Sequence, residues 1–584
     1  MRIHTLLFSL TALISPAAFA TGTGDCPQGA VRFHLSPIAP LPGDLLHIKA
    51  VSVQTPVTRL ELVNQDGTIK VLKSVVRGGP PFSLTTELSH KTGDLVTLRA
   101  YRDDQEIGCL RLDESGPLSE TEGGWSAEME AYYSSWVEQL FDASVDEELN
   151  FRSLEPVLRD PERNFLFNHL GSHEDERLPA TPDCADLPYF LRSYFAWKTG
   201  LPISYRSCDR GSSQRPPRCG PAIFDDRFMR GRTGQSGFIQ FSRKLNDTVH
   251  SGSARTALED NATDFYPVAL DRNSLWPGTV FADPYGHTLI IAKWVHPENG
   301  RPGLLLAADA QPDNSVTRKR FWEGNFLFAD IQGAGPGFKA FRPVRVEDGH
   351  LVQPSNRELS ATSTGVSFSD EQLHMNSDEF YAAMAKAINP GGLDPVTAYE
   401  DKLAALTEQV ATRNIAIQNA ERYFRQHPGS VISMPNGAAI FQTTGPWEDY
   451  ASPSRDMRLL IALKTLEQLP DQIRNHPDLF RMHSSNTADA VHELQDLHHQ
   501  KLAATRFQYT QTGGQMMTLP LSTLFARREA LETGYNPNDC PEIRWGADPG
   551  SEELSACQRR APAEQRQRME QYRSWFRNTQ RPAH

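Results

Sequence analysis

Long apolar runs, basic clusters and cysteines are all scarce in this chain, and each scarcity excludes something. Beyond the first 20 residues no segment carries the roughly 18 uninterrupted apolar residues that a membrane-spanning helix needs, so none is expected in the mature protein. The 59 basic residues are outnumbered by 72 acidic ones, and the formal charge is −13. The only basic run is Arg318-Lys319-Arg320. That balance argues against nucleic acid as the main partner. Metal-ligand spacing is missing too: His492, Asp496 and His499 share one side of a helical stretch but lack the His-Glu-x-x-His pattern, so no metal is expected. The glycine-rich Gly333–Lys339 is interrupted by Pro336 and followed by no Ser or Thr, which excludes a phosphate loop. No cofactor is implied.

The N-terminus has the parts of a secretory signal. Arg2 and His4 precede an apolar segment from Leu6 to Ile14, and Ala18-Phe19-Ala20 is a small-x-small cleavage site. Residues 1–20 are therefore expected to be removed on export, leaving the protein in the periplasm, on the surface or secreted. Only seven cysteines occur in 584 residues. In an exported protein an even set pairs and an odd one stands out as a candidate reactive thiol. Pairing by locality joins Cys26 to Cys109, Cys208 to Cys219 and Cys540 to Cys557, although connectivity does not follow from sequence alone. The cysteine left over is Cys184.

Cys184 sits in Pro182-Asp183-Cys184-Ala185-Asp186-Leu187, ahead of apolar residues at helical spacing as far as Trp197; Gly200 and Pro202 then supply a stop. This spacing predicts a helix with Asp183 as its cap and Cys184 in its first turn. Free amides and the positive end of the helix dipole stabilise a thiolate there, which marks a nucleophile. The plain alternative is a small buried hydrophobe. Upstream, Asn168, His169 and His173 are candidates for the side-chain half of an oxyanion hole whose other half is the Cys184 amide. Such polar residues also serve as turn formers.

From Gly278 three strands follow in meander order, 278–283, 288–295 and 303–310. His287 starts the second and Asp309 ends the third, and antiparallel neighbours bring those ends together. A cysteine facing a histidine that is oriented by a carboxylate has the parts of an activated thiol.

This order, with Cys184 opening a helix that ends Gly200-Leu201-Pro202, Gly286-His287 beginning a strand and Asp309 ending the next, resembles the transglutaminase-like branch of the papain-like cysteine enzymes. The Asp183-Cys184 pair is also similar to that of the NlpC-type cell-wall peptidases. The resemblance covers about residues 160 to 330 and implies a papain-like α+β fold with a Cys184, His287, Asp309 triad. The turn after Asp309 reads Asp-Ala-Gln-Pro, so Gln311 and Asp313 are alternative partners for His287.

Around this centre, residues 21–113 read as short strands of an immunoglobulin-like β-sandwich, with a hairpin at Asn64-Gln65-Asp66-Gly67. The catalytic domain is expected over 114–345, opening with a helix from Ser126 to Phe141 whose aromatic stripe faces the core. Residues 346–370 read as a linker or surface strap and 371–584 as a mostly helical domain. The expected function is an exported cysteine hydrolase acting on amide bonds in peptide or protein, with peptidoglycan cross-links the leading substrate. A transamidating enzyme and an assembly module with an inactive papain-like domain are the alternatives.

Overall fold

Strands that bury every second side chain build the N-terminal domain, as the alternating burial of Leu60 and Leu62 within Arg59–Val63 illustrates. A computed structural model describes residues 29–582 except 41–42, 90–95, 113–123, 230–232, 299, 312, 330–332, 362–364, 442–444 and 483–486. The expected signal segment and Cys26 lie outside the described residues. Eight strands follow in order: β1 (Arg32–Ser36), β2 (Leu45–Ser52), β3 (Arg59–Val63), β4 (Ile69–Val71), β5 (Ser74–Arg77), β6 (Phe82–Ser89), β7 (Val96–Arg102) and β8 (Gln105–Leu112). They form two four-stranded antiparallel sheets, β1-β2-β6-β5 and β4-β3-β7-β8. One core, including Leu46, Ile48, Leu60, Leu84 and Leu98, lies between them.

This domain is not a loosely tethered spacer. Helix α1 (Ala127–Leu140) is capped by the Ser126 side chain and packs against β2. Lys49 of β2 is fully buried there and donates to Ser135 Oγ at 3.2 Å and Gln139 Oε1 at 2.8 Å. The His34 ring stacks on Tyr132 at 3.6 Å. A buried lysine that hydrogen-bonds across a boundary ties two domains together, because separation would strand polar partners made for each other.

The central domain is organised by a seven-stranded antiparallel sheet. Its strands are β9 (Asn150–Phe151), β10 (Phe265–Pro267), β11 (Val280–Ala282), β12 (Thr288–Val295), β13 (Leu304–Ala310), β14 (Val316–Arg320) and β15 (Gly337–Phe341), in the order β10-β15-β11-β12-β13-β14-β9. Both faces are covered, so β12 and β13 are nearly continuous apolar runs. Ile290, Ala292, Ala308 and Ala310 face a core shared with α1 and with α2 (Asp186–Thr199). Leu289, Ile291, Leu305 and Ala307 face a second core with Phe326, Phe338 and Phe380. Helix α3 (Gln235–Asn246) packs beside α2.

Two domain boundaries differ from expectation. The stretch 346–370 holds a β-hairpin from Arg345 to Val352 and a short helix, Asn356–Ser360, whose Leu359 is buried in the second core. Arg342 donates to Pro354 O and Asn356 Oδ1, fastening the segment to the sheet. Helix α4 (Ser377–Ile388) places Phe380, Met384 and Ile388 in that same core. Apolar periodicity identifies a helix but not the core it joins, so the helical domain proper begins near Ala398. It contains α5 (Pro395–Gln426), α6 (Pro453–Asn475), α7 (Thr487–Ala504), a hairpin of β16 (Arg506–Thr510) and β17 (Met516–Pro520), and α8 (Ala563–Arg577). Trp447, in the short helix Pro446–Tyr450, is buried in this core.

Cys208–Cys219 and Cys540–Cys557 are disulfides, Cys109 is also disulfide-bonded, and Cys184 is the free cysteine among the described residues. Disulfides persist in oxidising compartments. No helix among the described residues is long and apolar enough to cross a membrane.

Candidate active site

The start of α2 is fixed by one carboxylate. Asp183 Oδ1 accepts from the amides of Ala185 at 2.8 Å and Asp186 at 3.0 Å, while the Leu187 amide donates back to the Asp183 carbonyl at 2.9 Å. Cys184 therefore occupies the turn that opens the helix, two residues before its first regular position. At the other end Gly200 takes the left-handed conformation with φ +73°, and the Leu201 amide donates to Ala196 O, which closes the helix where the sequence signals a stop. The helix is buried along nearly its whole length. Arg192 is accommodated there by a two-pronged pair with Glu130 at 2.6 and 2.5 Å.

The histidine is positioned by a tight turn. Asp283 Oδ1 accepts from the amides of Tyr285 at 2.7 Å and His287 at 3.0 Å, and the Asp283 amide donates to His287 O at 2.8 Å. Gly286 has φ +107°, and a Cβ there would lie 3.1 Å from Ser251 Oγ, so conformation and space both call for glycine. The next residue, Thr288, donates its hydroxyl to the Cys184 carbonyl. One hydroxyl thus pins the start of β12 to the start of α2.

Pairing of Ile290 with Ala308 and Ile291 with Ala307 brings the start of β12 beside the end of β13. Asp309 is 2% exposed, and its Oδ1 lies 2.7 Å from His287 Nε2. The pair is close but off-axis, at ion-pair distance without an in-line hydrogen bond. Catalytic contacts in ligand-free enzymes are frequently of this kind and tighten when substrate binds. Asp309 Oδ2 accepts from the Gln311 side chain. Gln311 therefore steadies Asp309 and is not the partner of His287. Asp313 is exposed and spends Oδ1 on the amide and hydroxyl of Ser315. Neither alternative third residue occupies the position beside the imidazole.

Burial acts to strip the proton from His287, but the Asp309 carboxylate, a hydrogen bond donated to Cys184 and the charge of Cys184 outweigh it and hold the imidazole well above its ordinary value. With Nε2 turned to Asp309, Nδ1 is the nitrogen left for the thiol. Close to Cys184, burial and the neighbouring Asp183 push Asp186 up to about 7, with Asp247 adding to the shift.

The three expected oxyanion donors are elsewhere. The Asn168 amide donates to Asp175, whose carboxylate meets Lys198 Nζ at 2.7 Å. Lys198 lies in the last turn of α2, about 20 Å from Cys184 at 1.5 Å of rise per residue. Buried His169 bonds Ser36 Oγ at 3.1 Å and is driven down to about 3 by burial and by Lys198. His173 is exposed and pairs with Glu176. These residues form a turn that ties the β-sandwich to the far end of α2, and sequence proximity to Cys184 did not translate into spatial proximity because α2 separates them. No described residue accepts a hydrogen bond from the Cys184 amide itself.

A separate cleft of about 1450 Å³ lies between the central sheet and the helical domain, lined among others by Leu304, Arg318, Asp401, Glu408 and Lys464. Cys184 and His287 do not line it. The spacing of His492 and Asp496, at 3.8 Å and exposed, is that of a surface pair. No family model, curated protein or solved structure matches the chain.

Proposed function

We propose that this protein is an exported cysteine hydrolase of papain-like, transglutaminase-like architecture, preceded by an immunoglobulin-like sandwich, that cleaves amide bonds in peptide or protein. One observation carries the reading: the free thiol of Cys184 stands at a capped helix start against an imidazole whose other nitrogen lies 2.7 Å from a buried carboxylate. A thiolate at that position adds to the carbonyl carbon of an amide. The amide of Cys184 is placed to donate to the oxyanion. Collapse breaks the C–N bond, and the leaving amine takes the imidazolium proton of His287. Water then adds to the thioester and gives a proton to His287, and breakage of the C–S bond releases the acid and restores the pair. Asp309 keeps Nε2 protonated throughout.

Export is supported by the signal-like N-terminus and the disulfides, and that compartment makes peptidoglycan cross-links the leading substrate and exported protein the next. Transamidation differs only in whether an amine outcompetes water for the thioester, so incorporation of a labelled amine into the acyl product separates the two. A second reading, an assembly module, draws on the large cleft that the triad does not line. It predicts full complementation of a null strain by Cys184→Ala.

The deciding experiment is alkylation of Cys184 by iodoacetamide on the unreduced protein. At about pH 6.5, below the ordinary thiol range, alkylation is expected to be fast and to slow at least about tenfold in His287→Ala. Slow alkylation that ignores the loss of His287 would remove the hydrolase reading.

A further inference from the structure

The segment that passes beside the histidine turn carries a cation without an adequate partner. The short helix Ser251–Ala254 packs against β11. It is followed by Arg255, which is 3% exposed. Its backbone is firmly held: the Gly335 amide donates to Arg255 O at 2.9 Å, and Lys339 Nζ donates to the carbonyls of Ala254 and Thr256 at 2.6 and 2.8 Å. A Cβ placed on Gly286 would lie 4.0 Å from Arg255 Nε. The guanidinium is thus held against the residue that precedes His287.

Three other buried arginines each have two or more acceptors. Arg192 forks onto Glu130, Arg413 onto Asp456, and Arg342 donates to Thr263, Pro354 and Asn356. Arg255 forms no salt bridge among the described residues, its Nε has no hydrogen-bond partner, and its Nη2 makes one long bond of 3.4 Å to Arg210 O. The carboxylate nearest in effect, Asp283, commits Oδ1 to the amides of the histidine turn. A buried guanidinium with an unpartnered Nε is costly, and a carboxylate is the acceptor that fits its fork of donors. Asp183 and Asp247 add negative charge around Asp186, while Arg210 adds positive charge near Arg255.

We propose that Arg255, held against the turn that carries His287, is an anion subsite that binds a carboxylate carried by the acyl-donor substrate and orients its amide toward the thiol. The proposal rests on the reading of Cys184 as nucleophile. The carboxylate belongs either to a peptide C-terminus or to an acidic side chain.

Three thiol-directed probes test it on the full-length protein. Chloroacetyl-glycine carries a terminal carboxylate, chloroacetyl-aspartate amide a side-chain carboxylate, and chloroacetyl-glycinamide no charge. At least one anionic probe is expected to alkylate Cys184 about tenfold faster than the neutral one, and which of them does so identifies the source of the carboxylate. Arg255→Gln brings that ratio close to one and Arg255→Lys retains most of it. His287 contributes equally in all three proteins, so the ratio isolates Arg255. Wild-type ratios at or below one overturn the proposal without any variant, and so does a ratio that survives Arg255→Gln. Sluggish alkylation by all three probes would instead sink the nucleophile assignment, leaving the ratio to judge the subsite.

Discussion

At the scale of single residues, His287 is where the competing effects are most evenly set against each other. Burial favours neutral imidazole, and Asp309 reverses that preference. A group whose folded value is raised stays charged as pH rises past its unfolded value of about 6.5 and loses its proton only at the raised value. Its stabilising contribution is full below the unfolded value and fades through the folded one. In Asp309→Asn the largest raising influence disappears while burial remains, so His287 should lose its proton at lower pH. The expected outcome, read from the imidazole resonances in an NMR titration, is a downward shift of at least about one pH unit, with the alkaline limb of activity moving the same way. An unmoved titration would mean that Asp309 does not govern His287. Gln311, which holds the other oxygen of Asp309, acts only through that carboxylate.

At the scale of elements, two starts of regular structure are locked together. Asp183 caps α2, the turn from Asp283 sets the first residue of β12, and Thr288 joins them through the Cys184 carbonyl. Replacing a capping carboxylate by alanine costs about 1 kcal/mol. Asp183→Ala is therefore expected to destabilise the central domain by that amount, read as a lower urea midpoint, and to slow Cys184 alkylation because the turn carrying the thiol loosens. A variant with unchanged midpoint and reactivity would show that the cap is redundant with the packing of the helix. The helix starts and stops were legible in the sequence because Asp183 and Gly200 act on their immediate neighbours. The partner of Asn168, His169 and His173 was not legible: these residues sit within 20 positions of Cys184 in the chain, yet Lys198 and Asp175 hold them at the opposite end of α2.

At the scale of the whole molecule, both flanking domains reach the centre. The sandwich is docked through Lys49, which burial and nearby Arg77 hold well below its ordinary range. The C-terminal segment reaches it from the other side: the Arg581 amide donates to Tyr285 Oη at 3.1 Å, and its guanidinium lies 5.3 Å from the Tyr285 ring and 5.0 Å from that of Phe441. Tyr285 belongs to the turn that carries His287. Arg581→Ala should slow Cys184 alkylation about two- to fivefold, the equivalent of one lost cation–π contact, with little change in the thermal transition. Equal rates in the two proteins would show that the C-terminal domain leaves the histidine turn alone.

What the sequence determined by itself was what depends on neighbours in the chain: the hairpin at Asn64 to Gly67 and the extents of α1, α2 and the meander strands. Periodicity and turn chemistry act over a few residues, so they are written locally. Only the tertiary structure decided which core α4 joins, that Asp309 and not Gln311 or Asp313 faces His287, and that Arg255 is buried beside the histidine turn without a salt bridge among the described residues. Those outcomes depend on how the sheet and helices pack across long stretches of chain, where burial and charge are settled by residues that no spacing rule connects.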